Sequence, residues 1–509
     1  MFEIISVREA VEMIRDGDVV LVNAFLGLSN AEAIHDAITE SYRRTGSPKE
    51  LTLISAPGFG KWDADRCAEP YIREGAVRRL ILGHYGSMVS TTSLIKENRF
   101  EMYNLPLGAI SHAIRAQAAG QPGCARKVGL GIFVDPRVEG PGLNAISTDA
   151  SLVQPVTIAG EEYLYYSLPK ANVAIIKGTS ADQNGNISFE DEFVTVDALI
   201  SAQAVHANGG KVIVQVDRIR HDFVRPRDVI VPGALVDAIV VVPAVKPSAE
   251  DTSRLLSGDI HVPSSHLRYW MDVLNEENSR SGKGANPAAD IICRRAAQEL
   301  RPGDIVNLGI GIPETVGKYA LKSGVLDTLT LTVESGGQGG LPASGQYFGA
   351  TLGADMVCDL STQFDFYDGG GLDICFMGAL EVDRFGNVNV HRGKTMSAGV
   401  GGFANITAAT KTVVFCLTFS AKGLQVEETD GEIHIRREGD IPKLCRDVTS
   451  ISFSAAQAVA AGQRVLYVTE RCVFELTGDG LCLKEVYPGI DRQKDILDQL
   501  PFSVLLPET

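Results

Sequence analysis

Glu334 stands where a strand pattern runs out into a glycine-rich loop, Leu329-Thr330-Leu331-Thr332-Val333-Glu334-Ser335-Gly336-Gly337-Gln338-Gly339-Gly340. A carboxylate can carry covalent catalysis, and the carboxyl end of such a strand is where open α/β sheets place ligands. The four glycines that follow would let a large substrate approach the backbone closely. The alternative is a carboxylate that ends a strand and faces water, as most acidic side chains do. A second cluster, Gly399-Val400-Gly401-Gly402-Phe403, follows in the same half of the chain. Its glycines permit the unusual φ angles that turn successive amides toward one point, or they form a tight turn capping a helix that begins near Phe403.

These residues need elements to hold them. The alternation of Thr328, Thr330 and Thr332 with Leu329, Leu331 and Val333 predicts a strand with two unlike faces. Near the start, Ser6-Val7-Arg8-Glu9 has the form of a capping box, followed by a helix with Ala10, Val11 and Ile14 on one side. Asp16-Gly17-Asp18 ends it, and Val19 to Asn23 begins a strand.

The second half starts the same way. Asn286 is an N-cap and Pro287 sits in the first turn of a helix through Leu300; Arg301-Pro302-Gly303-Asp304 then leads to the strand Ile305-Val306-Asn307. A further echo joins Ala174-Ile175-Ile176 with Ala181-Asp182-Gln183-Asn184-Gly185-Asn186-Ile187 to Ile374-Cys375-Phe376 with Val382-Asp383-Arg384-Phe385-Gly386-Asn387-Val388. Each reads as a strand, a short connection and a turn into another strand. The halves are therefore expected to be divergent copies of one α/β fold, with domains at 1–244 and 286–509. The polar stretch 245–285 is the expected linker, in which Leu267 to Leu274 has the length of a short helix.

The chain has 509 residues, 45% hydrophobic and 22% charged, so more than one domain of ordinary globular composition is expected. A net charge of -16, from 47 basic and 63 acidic residues, opposes non-specific binding to nucleic acid or an anionic membrane. The nine cysteines contain no C-x-x-C pair, which suits buried thiols in a reducing cytosol better than a disulfide scaffold. No signal peptide is expected at Met1 to Ile4, and the apolar run Ala238 to Val242 is far too short to span a bilayer.

Several tempting motifs fail. Gly309-Ile310-Gly311 follows a strand, but Glu314 occupies the third glycine position of a dinucleotide fingerprint, where its charge would repel pyrophosphate. Gly393-Lys394-Thr395 looks like the end of a P-loop, yet the first glycine would fall at Val388. Asp182, Asn184 and Asn186 have calcium-loop spacing, but Ile187 and Phe193 take the glycine and glutamate positions. The histidines form no H-E-x-x-H, so no metal site is expected.

Taken together, the Glu334-Ser335-Gly336 segment and the Gly399 to Phe403 segment resemble the family I coenzyme A transferases, single-chain acetate and propionate branch, in that family's order. Asn307-Leu308-Gly309-Ile310-Gly311-Ile312-Pro313, Val128-Gly129-Leu130-Gly131 with Val134-Asp135-Pro136-Arg137, Tyr467-Val468-Thr469-Glu470-Arg471 and Pro488-Gly489-Ile490-Asp491 extend the likeness over nearly the whole chain. The resemblance implies two similar open α/β domains with the active site in the cleft between them. It implies Glu334 as nucleophile, Gly401 and Gly402 as oxyanion donors, and Gly399 and Phe403 as part of the same site. The loops at Gly309, Gly311 and Pro313 and at Gly336, Gly337 and Gly340 are expected to shape the CoA channel; alternatively, Gly309 to Pro313 is strand-to-helix packing. Coenzyme A is then substrate and covalent intermediate, with no permanently bound cofactor and no metal. The implied partners are an acyl-CoA and a carboxylic acid, in a cytoplasmic homo-oligomer, dimer or tetramer.

Two places depart from the family. Where it carries a Gly-Gly-Phe-Gly-like loop this chain reads Asn23-Ala24-Phe25-Leu26-Gly27, and where it carries Pro-Gln-Gly this chain reads Pro106-Leu107-Gly108. By the resemblance Asn23, Phe25 and Leu107 border the acyl or acid substrate. An apolar Leu107 in place of an amide predicts a pocket for a bulkier or less polar acid than acetate, unless Leu107 is core packing. The rival activities are an acyl-CoA thioesterase on the same scaffold, with water resolving the intermediate, and a ligand-sensing module. The latter needs an effector domain, for which neither end gives a helix-turn-helix or basic signal.

Overall fold

The computed structural model describes residues 2–61, 65–243, 254–261, 286–343, 345–393 and 397–506. Most of the expected linker 245–285, including 267–274, lies outside the described residues, as do Lys394 and Thr395. Ser6 caps the Val7–Glu12 helix through a full capping box, and Asn286 caps Pro287–Ala296 by accepting the Ala289 N–H. A 3-10 turn, Ala297–Glu299, carries the second helix on to Leu300.

Each half is organised by one sheet. The first has eight strands in the order Glu3–Ile5, Ala238–Val241, Lys211–Val216, Val173–Lys177, Val19–Asn23, Leu51–Ser55, Val77–Leu82 and Glu101–Asn104. Every neighbouring pair in it is parallel. The second has nine strands in the order Met356–Val357, Gly337–Gln338, Thr330–Thr332, Ile305–Leu308, Ile374–Gly378, Thr412–Cys416, Arg464–Val468, Cys472–Thr477 and Gly480–Val486. Its centre, from Thr330–Thr332 to Arg464–Val468, is parallel, and both margins are antiparallel.

Superposing the strand orders makes the duplication explicit. Ala238–Val241, Lys211–Val216, Val173–Lys177, Val19–Asn23 and Leu51–Ser55 follow one another as do Arg464–Val468, Thr412–Cys416, Ile374–Gly378, Ile305–Leu308 and Thr330–Thr332. The side hairpins repeat as well. Asp182 accepts the N–H groups of Asn184 and Asn186 and the Asn186 amide; Asp383 accepts those of Phe385 and Asn387 and the Asn387 amide. These are the residues with calcium-loop spacing, and Asp182 uses its oxygens to close a turn.

The strand leading to Glu334 is shorter than its pattern. Leu326–Thr328 is a 3-10 turn and only Thr330–Thr332 pairs. Both Leu331 and Thr332 are buried, because a parallel strand inside a sheet has both faces covered. Thr332 meets that burial with hydrogen bonds: its hydroxyl donates to Val306 O and accepts from Tyr367, and Asn307 donates to Thr332 O. All nine cysteines are free thiols. Among the described residues no helix is long and apolar enough to cross a membrane.

Candidate active site

Past Thr332 the chain makes a tight turn: Val333 N–H donates to Gly337 O, and Gly336 N–H donates back to Val333 O. Glu334 and Ser335 are its tip. Ser335 is buried, and its hydroxyl is anchored on Gly349 O. Glu334 itself keeps partial access to solvent. Protein nevertheless crowds its carboxyl enough that burial pushes the pKa up to about 7, against the pull of a hydrogen bond from the Gly402 N–H. A partly open carboxylate whose acid strength is set by burial is suited to bond formation near neutral pH.

Gly402 is the N-cap of the Phe403–Ala409 helix at φ -79, and a Cβ there would stand 1.9 Å from Glu334 Oε2 and 3.1 Å from Phe364 Cζ. Glycine is needed here for the close approach of the carboxyl, since the backbone angle suits any residue. Gly401 differs. It lies at φ +54, and its N–H already donates to Gly83 O at 2.8 Å. The expectation that Gly401 is an oxyanion donor is therefore corrected: its amide is committed to the other half, and it supplies the reversal that aims Gly402. Gly399, at φ +83, lies in the same turn, and Phe403 opens the helix with its ring 6.1 Å from that of Phe415.

The glycines after Glu334 also do something other than expected. A Cβ on Gly336 would sit 1.9 Å from Cys358 O, and one on Gly337 1.9 Å from Thr351 Oγ1. The close approach at these positions is made by the chain itself, not left open for a ligand. Gly339 and Gly340 are likewise packed against Asp355 and Leu352.

Gly309 and Glu334 each lie two residues beyond the registered pair Asn307 and Thr332, so they occupy adjacent strand ends. Gly309 donates to Phe376 O at 2.8 Å and is packed against Met377, both on the neighbouring Ile374–Gly378 strand, so it extends the sheet edge and makes no packing contact with a helix. Gly311 faces open space, with no atom within 4 Å of a Cβ built on it, and its N–H is capped by Glu314. Exposed Ile310 lies between them.

The first half reaches this site through two loops. Phe25 lies so close to Gly349 that a Cβ there would meet its ring at 2.4 Å, directly behind Ser335. Leu107 begins the Leu107–Ala118 helix and donates its N–H to Gly401 O. Each is 1% exposed, so both pack as core beneath the site, the alternative reading for Leu107, with little surface left to grip a ligand. Asn23 does not serve as expected: its amide donates to Thr195 O and accepts Asp197 N–H, so it ties the end of its strand to the segment that enters the Ala198–Ala207 helix.

Sequence reasoning missed Asn104, Gly83 and Tyr85, which hold the Gly399 to Gly402 turn from the opposite half. It also missed Phe364 and Tyr367 on the Leu360–Asp368 helix, beside Glu334. The available signal was slight: a polar Asn104 after Met102-Tyr103, immediately before Leu105-Pro106.

The coenzyme A transferase profile matches residues 4–242 and 290–494. This chain belongs to the coenzyme A transferase family. It is 38% identical over 510 residues to the acetate CoA-transferase YdiF of Escherichia coli K12, covering 99% of this chain and 93% of that one. It is 40% identical over 516 residues to the caffeate CoA-transferase of Acetobacterium woodii, covering 99% and 95%. The solved acyl-CoA transferase YdiF of E. coli O157:H7, a thioester complex with CoA, superposes with a TM-score of 0.88 at 36% identity over 99% of this chain and 94% of that one. This coenzyme A transferase is thus an α/β enzyme of the two-domain type, moving CoA to carboxylic acids.

Proposed function

We propose that Glu334 is the nucleophile of a ping-pong cycle. The observation that carries this reading is the Gly402 N–H aimed at a carboxyl crowded by protein at the end of a central strand. A Glu334 oxygen attacks the thioester carbon, the C–S bond breaks, and CoA leaves as thiolate from a mixed anhydride. The thiolate then attacks the Glu334 carbonyl and expels the first acid as its carboxylate, leaving a glutamyl-CoA thioester. A second acid reverses both steps and departs as the new acyl-CoA.

Gly402 matters most when the thiolate attacks Glu334. Negative charge then collects on the glutamyl oxygen, where the amide already points, and one such donor in a dry site contributes about 3 kcal/mol. The raised pKa of Glu334 also makes its anion a better nucleophile than an exposed glutamate while leaving roughly half of it ionised near pH 7.

The acid is of short chain, such as acetate or propionate, or bulkier and less polar. The likeness to a caffeate enzyme supports the second, while Leu107 and Phe25, each 1% exposed, are packed as core and favour neither. The open space at Gly311 and the exposure of Ile310 support a role for this loop beside the CoA. No cofactor beyond CoA is required by these steps. Domains at 1–244 and 286–509, a homo-oligomer and a cytoplasmic location complete the reading; the first is supported by sheets ending at Val241 and resuming after the Pro287–Ala296 helix. Intact-protein mass spectrometry after incubation with acetyl-CoA tests the nucleophile: the wild type gains a CoA-sized adduct and Glu334→Gln does not. An adduct on Glu334→Gln would reject it. The ratio of transfer to hydrolysis with labelled acetate separates a transferase from a thioesterase.

A further inference from the structure

The turn that presents Gly402 is held from the other half of the molecule. Tyr85 and Gly86 donate their N–H groups to Ala398 O at 2.8 and 3.0 Å, Gly401 donates to Gly83 O at 2.8 Å, and Leu107 donates to Gly401 O at 3.0 Å. Between these contacts lies Asn104, at the end of the Glu101–Asn104 strand and fully buried. Its Oδ1 accepts the Val400 N–H at 3.0 Å, while its Nδ2 donates to Leu82 O at 2.8 Å and to Gly83 O at 2.7 Å. Two carbonyls face the nitrogen and one N–H faces the oxygen, so the amide has a single orientation, with both donors in use.

We propose that Asn104 is a positioning residue for CoA transfer, acting through Val400 and Gly401 to aim the Gly402 N–H at Glu334; this rests on the reading of Glu334 as nucleophile. Gly83 O receives both the Asn104 amide and the Gly401 N–H, so the side chain fixes the carbonyl that in turn fixes the glycine. The contact is close: a Cβ on Gly399 would stand 2.7 Å from Gly83 O and 2.9 Å from Asn104 Nδ2. Consecutive amides of the turn are thereby divided between two partners. Those of Val400 and Gly401 point into the first half, and after the reversal at φ +54 that of Gly402 points to the carboxyl. With Asn104 buried, no solvent stands ready to take over its three bonds. Its chemistry is indirect: it touches neither substrate nor Glu334 but sets where a hydrogen-bond donor stands when the oxyanion forms.

Asn104→Ala and Asn104→Ser are to be compared with wild type in the full chain. The readouts are the rate of CoA-adduct formation from acetyl-CoA, its pH midpoint and the KM for acyl-CoA. The adduct rate is expected to fall roughly 10- to 100-fold, with KM changed by less than about 3-fold. The pH midpoint should move upward, because the Gly402 hydrogen bond is what draws the Glu334 pKa down. A residue of merely structural importance would lower the melting temperature and leave the midpoint in place. A rate within about 2-fold of wild type, a slower rate with an unmoved midpoint, or failure of both variants to fold would each overturn the inference. Wild type without any adduct would instead overturn the role of Glu334 itself, which keeps the two failures distinct.

Discussion

Ala56 and Glu334 occupy the same place in two copies of one sheet. Thr52 and Thr330 donate their N–H groups to Asp18 O and Asp304 O, at 2.9 and 3.0 Å, and four residues later the chains reach Ala56 and Glu334. Two residues further, Gly58 at φ +81 and Gly336 at φ +118 each press a backbone against a carbonyl, that of His84 and that of Cys358. The glycines are alike; the side chain two residues before them is not. In the first copy the space belongs to a buried Ala56, and the neighbouring strand end at Gly83 supplies the carbonyl that holds Gly401. One copy thus carries the reactive carboxylate and the other the clamp that arranges its donor. A cleft between the halves is where such a division of labour can be used, since nucleophile and clamp then meet across the seam.

Removing the difference should be the most damaging change. Glu334→Ala is expected to reduce transfer by on the order of 10⁴-fold or more in steady-state assays. Adding Ala56→Glu to that variant should restore nothing, because the first copy has no amide placed like that of Gly402; recovery would mean that the two turns are interchangeable.

The glycines of the second copy separate next. Gly402→Ala keeps an allowed backbone at φ -79 but places its Cβ 1.9 Å from Oε2, so kcat should fall roughly 10²- to 10³-fold with little loss of melting temperature. Gly401→Ala has room, with His84 Cβ 4.0 Å away, but is held at φ +54. It should lose about 1–2 kcal/mol of stability and less activity.

A titration sharpens the contrast between a working carboxylate and its inert counterpart. Glu334 is held at about 7 against 4.5 for a free glutamate, so between those values the folded chain keeps a proton that the unfolded chain has released. Stability therefore falls as pH rises through this window, by roughly 3 kcal/mol when complete. Glu334→Gln still accepts the Gly402 N–H but carries no charge. Its melting temperature should match wild type near pH 4.5 and exceed it at pH 8; equal melting at both would refute the assignment of burial as the cause. The smallest effect is expected at the buried layer contributed by the first copy: Leu107→Gln should shift relative rates toward short acids across a panel, by no more than about 10-fold.

Local features were legible in the sequence and long-range ones were not. The capping box at Ser6, the strand Val19–Asn23 and the paired Asp182 and Asp383 turns are each decided by residues within a few positions of one another. So was Glu334, by its place after a strand. The use of the glycines was not. Gly336, Gly401 and Gly402 look equivalent in a string, yet one packs on Cys358 O, one is fastened to Gly83 and one faces the carboxyl. Which of these a glycine does depends on partners that stand up to hundreds of residues away, and the same separation hid Asn104 and turned Asn23 inward.

Peptide mapping of the trapped intermediate tests the central claim most directly. After incubation with acetyl-CoA and proteolysis, the account predicts a CoA-sized mass on the peptide spanning Val333 to Gly340, attached at Glu334. A CoA mass on any other residue, or turnover of acyl-CoA and acid with that peptide unmodified throughout, would contradict it.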